Sequence, residues 1–229
     1  MTDSYDTHAE LYAADIDENP YNALYERPGI ISLLPPVRGL DVLDAGCGSG
    51  QLAAWLAGQG ARVTGVDAAP GMVRLAAERV PSATFAVADL AAPLALADGA
   101  FDLVVSSLVL HYLRNWECPL RELRRVLAPG GAIVLSTHHP AGDLELSPTG
   151  DYHAVEAIEE VWEKGGRPFP VRFWRRPLSA MFDAFAAAGL QVERLAEPLP
   201  LPAARERFPE DWVRLSTRPH FLFLRLRAS

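Results

Sequence analysis

The stretch Val42-Leu43-Asp44-Ala45-Gly46-Cys47-Gly48-Ser49-Gly50 decides how the rest of this chain is read. Asp41 to Leu43 has the character of a buried strand end, and Gly46, Gly48 and Gly50 make a tight turn. Gln51-Leu52-Ala53-Ala54-Trp55-Leu56-Ala57 then continues at helical spacing. Strand, glycine turn and helix in that order form a nucleotide-binding element. Glycines lack a Cβ, so backbone N–H groups can approach a ligand closely, and the helix N-terminus behind them favours a carboxylate or phosphate.

Working outward, strand and helix patterns alternate from residue 41 onward, which predicts a parallel α/β sheet with helices on both faces. Arg62 to Asp67 reads as a second strand, followed by a helix from Pro70 to Arg79 with proline in its first turn. Thr84 to Ala88 is a short third strand ending at Asp89. Phe101 to Leu110 is the most apolar run and predicts a central fourth strand, because only a strand covered on both faces reads as continuous hydrophobics. A helix over about Glu117 to Leu127 stops at Ala128-Pro129-Gly130-Gly131, and Ala132 to Thr137 is the fifth strand. An Ala-rich helix, Leu178 to Ala188, leads to strand six, Leu190 to Leu195, and Phe221 to Arg227 alternates as strand seven.

Two segments break this rhythm. Residues 1–37 carry Tyr5, Tyr12, Tyr21 and Tyr25 and predict one or two helices before the first strand; Tyr21 and Tyr25, four apart, share a helix face. Residues 138–176, rich in Gly, Pro, His and aromatics, are too long for an ordinary connection and are read as a substrate-covering insertion at the carboxyl end of strand five. The expected organisation is one domain over 1–229. It comprises an N-terminal helical lid (1–37), a cofactor-binding half (38–137), the insertion (138–176) and a C-terminal half (177–229).

At 229 residues the chain is long enough to bury its own core. Its two cysteines, Cys47 and Cys118, form neither a disulfide framework nor a paired metal motif, which fits a reducing cytoplasm. No apolar run reaches the length of a membrane span. A net charge of −8 repels a phosphate backbone on average, so nucleic acid is not expected as a partner; a monomer or homodimer acting on a small molecule is.

Spacing narrows the nucleotide. The pattern is Asp44-x-Gly46-x-Gly48-x-Gly50, whereas a dinucleotide fingerprint places its third glycine where this chain has Gln51. A Walker loop is excluded, since no Gly-Lys-Ser/Thr follows. An aspartate beside the turn is unfavourable near a pyrophosphate and favourable near an ammonium group. Over residues 40–137 the chain resembles the class I S-adenosylmethionine-dependent methyltransferases, in particular the small-molecule type 11 group. The matches are Asp44-x-Gly46-Cys47-Gly48-x-Gly50, Asp67, Met72, Asp89-Leu90, Phe101-Asp102-Leu103-Val104 and Leu127-Ala128-Pro129-Gly130-Gly131.

The resemblance implies a Rossmann-like, seven-stranded, mostly parallel sheet with an antiparallel last strand, and S-adenosylmethionine as cofactor with S-adenosylhomocysteine as product. It also implies that Asp44 and the turn Gly46, Cys47, Gly48 and Gly50 hold the methionine part, and that Asp67, with Ala68 beside it, takes the ribose hydroxyls. Met72 would pack on adenine, and Asp89 with Leu90 would read the adenine edge. Asp44, Asp67, Asp89 and Ser106 or Ser107 fall at the carboxyl ends of successive strands, the edge where open α/β sheets bind ligands.

Methyl transfer from a sulfonium requires alignment and exclusion of water, and no metal. An acceptor of low acidity would need a base, for which His111, His138 and His139 are candidates at the ends of strands four and five. Tyr12, Tyr21, Tyr25, Trp162 and Phe173 are candidate acceptor-binding residues and point to an apolar or aromatic acceptor, with Arg172, Arg175 or Arg176 as a possible carboxylate clamp. Two other readings stay open at this level: a nicotinamide-dependent oxidoreductase on the same layered fold, and a non-catalytic S-adenosylmethionine-binding protein.

Overall fold

A computed structural model describes residues 2–164 and 166–229, with side chains from Tyr5 onward. The strands follow one another as β1 (Asp41–Ala45), β2 (Arg62–Asp67), β3 (Thr84–Val87), β4 (Phe101–Ser107), β5 (Leu127–His138), β6 (Glu156–Lys164), β7 (Arg167–Arg175), β8 (Leu190–Ala196) and β9 (Phe221–Ala228). Seven of them build one sheet in the order β3-β2-β1-β4-β5-β9-β8, and β6 and β7 pair separately as a hairpin. Every ladder from β3 to β5 is parallel, whereas β9 runs antiparallel to both β5 and β8. The seven-stranded, mostly parallel sheet with an antiparallel last strand expected from sequence is therefore what forms.

The sheet is central because its strands are apolar on both faces. Leu43, Val104, Ile133 and Leu135 join a core on one side and Val42, Leu103, Val105 and Val134 a core on the other, as the period of two along a strand requires. Each such side chain contributes about 1.5–3 kcal/mol by leaving water. Helices close both faces: α1 (Thr2–Thr7), α2 (Ala9–Glu18), α3 (Arg27–Ile31), α4 (Gln51–Gly58), α5 (Pro70–Arg79), α6 (Glu117–Val126), α7 (Leu178–Ala187), α8 (Ala203–Arg207) and α9 (Pro209–Thr217). Leu120 and Leu123 of α6 with Met181 and Phe185 of α7 cover the first core; Leu52 and Leu56 of α4, Ile30 of α3 and Leu215 of α9 cover the second.

Three elements differ from the sequence reading. The N-terminal segment holds three α-helices, not one or two, and a π-helical turn, Asn22–Glu26, joins α2 to α3. Within that turn Leu24, Tyr25 and Glu26 are buried in succession, so the turn is covered on more than one side. The segment between β8 and β9, to which the sequence pattern assigned no element, contains α8 and α9. Finally, the expected insertion is built as the β6–β7 hairpin, in register from Glu156↔Arg175 to Lys164↔Arg167. Its apolar face, Ile158, Phe169, Val171 and Phe173, packs on Tyr5, Tyr12 and Tyr112. It lies behind these tyrosines and does not itself wall the cavity described next.

Candidate active site

A cavity of about 380 Å³ opens at the carboxyl edge of β1, β2, β3 and β4, beneath the N-terminal helices. Its position follows from the strand order. Adjacent β1 and β4 carry connections to opposite sides of the sheet, which leaves a crevice between them.

The glycine turn lies at its floor. Gly46 has φ +85°, and a Cβ there would stand 2.2 Å from Val109 Cγ2, so only glycine fits between the turn and the segment after β4. Gly48 N–H donates to Asp67 Oδ2 at 2.9 Å, and Ala69 N–H donates to Asp67 Oδ1 at 2.9 Å, so one carboxylate ties the turn to the end of β2. Gly50 begins α4 with φ +83° and has no side chain to cap it, and the Ala53 N–H of the first turn is directed at the Asp44 carboxyl, where it favours the charged form.

Asp44 lines the cavity from β1 and is buried, and neither of its carboxylate oxygens has a hydrogen-bond partner among the described residues. Burial, with Asp67 and Glu26 nearby, pushes this carboxyl up to about 7. A buried, unpartnered acid facing empty space needs a ligand that donates hydrogen bonds or carries positive charge. Burial also raises Asp67, against the N–H donors that favour its charged form.

Most of the residues expected at the cofactor are gathered here: Asp44, Gly46, Cys47, Gly48, Asp67, Ala68, Met72, Asp89 and Leu90 all line the cavity. Two do not. Gly50 packs against Ala76 of α5, and Ser106 turns the other way to donate to Ala45 O at 3.0 Å. Strand alternation brings its neighbour Ser107 to the cavity instead. Burial pushes the Cys47 thiol up, so it lines the wall as a small apolar group.

The three histidines expected as candidate bases, His111, His138 and His139, lie outside the cavity lining. His111 is buried behind Tyr112 and Phe173, stacked on His138 with centroids 3.9 Å apart, and neither ring nitrogen has a hydrogen-bond partner among the described residues. Burial, then His138 and Arg176, drives its pKa well below the usual range, leaving it neutral. His138 is held by the β5–β9 ladder opposite Phe221, with Nδ1 3.4 Å from Asp143 Oδ2. His139 Nδ1 accepts the Ala141 N–H at 3.1 Å, which leaves its proton on Nε2, 2.8 Å from Glu197.

Of the aromatic candidates only Tyr12 reaches the cavity. Tyr21 donates to Asp211 at 3.0 Å and leans on His220, and Tyr25 packs on Phe221, so the face the two share is turned to the sheet core. Trp162 and Phe173 belong to the hairpin cluster behind the cavity wall. The arginines expected as a clamp are also occupied. Arg175 donates to Tyr152 O and Ala154 O, Arg176 donates to Leu113 O at 2.6 Å while lying over Trp116, and Arg172 lies over Trp174.

In their place the walls carry residues that the sequence reading had not singled out as site residues: Asn22, Glu26 and Arg27 from the N-terminal segment, and Leu108 and Tyr112 after β4. Glu26 is buried, and its Oε1 accepts both Ser107 Oγ at 2.7 Å and Ser136 Oγ at 2.5 Å. Leu108 holds φ +54°, a strained conformation for a branched side chain, supported by its N–H donating to Ser136 Oγ at 3.0 Å. Tyr5 and Tyr112 meet hydroxyl to hydroxyl across 107 positions of sequence, and Tyr12 packs edge-on to Tyr5. The one sequence signal for Glu26 was a lone acid in an otherwise apolar turn.

Comparisons with known proteins agree with this geometry. A family model described as "Methyltransferase domain" matches residues 43–135. The chain is 31% identical over 211 residues to a trans-aconitate 2-methyltransferase of Variovorax paradoxus, covering 87% of this chain and 79% of that protein. It is 34% identical over 134 residues to a malonyl-[acyl-carrier protein] O-methyltransferase of Pseudescherichia vulneris, where the match takes 58% of this chain but only 49% of that longer protein. The crystal structure of an S-adenosylmethionine-dependent methyltransferase from Mesorhizobium loti superposes with a TM-score of 0.72 at 28% identity, over 93% of this chain and 99% of that one. Strand order, the acid-lined sheet edge and these likenesses converge: the chain belongs to the class I S-adenosylmethionine-dependent methyltransferases of the type 11 group.

Proposed function

We propose that this enzyme transfers a methyl group from S-adenosylmethionine to a small, largely apolar or aromatic organic acceptor held beneath the N-terminal helices. The observation that carries this reading is the buried Asp44, which lines the cavity at the N-terminus of α4 with neither oxygen within full hydrogen-bond distance of a donor among the described residues. Together they fit an amino acid moiety. The first-turn N–H groups of α4 suit a carboxylate and Asp44 suits an ammonium. Asp67 is positioned for the ribose hydroxyls, and Asp89, Leu90 and Met72 for the adenine.

S-adenosylmethionine, when bound, supplies an electrophilic methyl group on a sulfonium whose departure needs no protonation. The chain's own task is therefore to orient the acceptor and keep water out. Tyr5, Tyr12 and Tyr112 enclose the cavity on the hairpin side, and burial raises all three hydroxyl pKa values, so they act as neutral walls and donors rather than as bases. His111, neutral and behind that wall, supports the hairpin contact rather than the chemistry.

A net charge of −8 and a cavity lined by Glu26, Asp44, Asp67 and Asp89 favour a small acceptor over nucleic acid. Among the described residues no helix is long and apolar enough to cross a membrane, and Cys47 and Cys118 are both free thiols. We assign the protein to the cytoplasm on the strength of those thiols, and to a monomeric or homodimeric state.

Calorimetric titration with S-adenosylmethionine, S-adenosylhomocysteine and NAD tests the reading. Binding of the first two at micromolar concentration is expected. NAD binding without sulfonium binding would overturn it.

A further inference from the structure

Four acids face the cavity, and three of them are absorbed by the cofactor reading: Asp89 beyond β3, Asp67 on β2 and Asp44 on β1. These follow one another across the sheet in strand order. The fourth, Glu26, continues the series past the turn, fixed over β4 and β5 by Ser107 and Ser136. Both serines bind the same oxygen, Oε1, and no hydrogen bond falls on Oε2 among the described residues. A buried carboxyl with one oxygen anchored and the other free is a recognition group in want of a donor.

The charge balance around it points the same way. Arg27 is the one basic side chain among the described residues lining the cavity, and its guanidinium already donates to Ile16 O at 2.9 Å. Four acids against that single guanidinium make the lining acidic on balance, which suits a cation or an N–H donor.

We propose that Glu26, held by Ser107 and Ser136, binds the methyl acceptor through an N–H group, and that the acceptor class is a small amine with an apolar or aromatic body rather than a carboxylate. This rests on the methyl-transfer reading and narrows it. It separates the chain from its relatives named for trans-aconitate and malonyl-[acyl-carrier protein]. Glu26 is then a specificity-determining residue. Its burial favours the neutral carboxyl, the two serine donors favour the ionised one, and an approaching ammonium or amine N–H completes the set.

The test uses the full chain saturated with S-adenosylhomocysteine and titrated calorimetrically with benzylamine, phenethylamine and tyramine, and with arylalkyl carboxylates of the same chain lengths. Amines are expected to bind and the carboxylates not to. Glu26→Gln should lower amine affinity by about tenfold or more while S-adenosylhomocysteine affinity stays within about twofold. If Glu26→Gln does not fold, Ser107→Ala, which leaves the acid and removes one anchor, should lower amine affinity by about threefold. Carboxylates binding as well as amines, no amine binding at all, or Glu26→Gln losing S-adenosylhomocysteine affinity instead would each overturn the inference alone. A wild-type chain that fails to bind S-adenosylhomocysteine brings down the methyl-transfer reading and this inference with it.

Discussion

The cavity has two sides built on different principles. On the side of β1, β2 and β3 the acids and the glycine turn sit at or just past the ends of strands, within a continuous run of chain from Asp44 to Asp89, and they touch through bonds such as Gly48 N–H to the Asp67 carboxylate, 19 positions apart. On the side of β4 and β5 the contacts join distant segments: Glu26 to Ser107 across 81 positions and to Ser136 across 110, and Tyr5 to Tyr112 across 107. The first side is a strand-by-strand consequence of the parallel sheet, and the second exists only once the N-terminal helices dock. Such an arrangement lets one donor site serve many acceptors, because the docked side can change without disturbing the sheet edge.

The contrast can be broken most forcibly at Gly46. A methyl there meets Val109 at 2.2 Å and takes on φ +85°, so Gly46→Ala should cost about 2–5 kcal/mol of stability, seen in urea unfolding, and should abolish cofactor binding. If that variant binds S-adenosylmethionine normally, the turn is not the anchor of the donor side. Asp67→Ala removes a carboxylate that accepts Gly48 and Ala69 N–H and is expected to weaken cofactor binding by about 1–3 kcal/mol by calorimetry.

Asp44 sharpens the comparison through pH. Its carboxyl is raised from 3.8 to about 7, chiefly by burial, so the folded empty protein holds that proton more tightly than the unfolded chain. Stability from this group is full below about pH 4 and is lost as pH rises to about 7. Asp44→Asn should flatten that decline and be more stable than wild type at pH 8 in the absence of ligand, as read by urea unfolding at pH 5 and pH 8. Cofactor affinity of the wild type should run the other way and tighten as pH rises through about 7, since a bound ammonium favours the ionised acid; a flat profile would separate Asp44 from the ligand. The smallest effect is expected at His111. Loss of a general base costs about 100-fold or more, whereas single-turnover methylation by folded His111→Ala should stay within about threefold of wild type.

The donor side was legible in the sequence because its determinants are local. A strand covered on both faces must be apolar, the turn after it must be glycine where φ is positive, and an acid closing each strand lands on one edge automatically. The acceptor side was not legible for the same physical reason in reverse. Tyr21 and Tyr25 share a face as their spacing requires, but that face packs on His220 and Phe221, and Glu26 at the end of the π turn lines the cavity instead. His111 and His138 stand after the right strands, but the β5–β9 ladder stacks them on each other behind Tyr112 and Phe173. A β-hairpin occupies the segment that composition marked only as an insertion: β6 and β7 pair with each other, and their inner face, Ile158, Phe169, Val171 and Phe173, packs on the tyrosines.

Sequence alone thus determined the sheet, its edge and the methyl donor, all of which depend on contacts between near neighbours or on strand order. Docking of the N-terminal helices decided which carboxylate faces the acceptor, because a side chain's direction there depends on a single extra residue in one helical turn and on two serines more than eighty positions away.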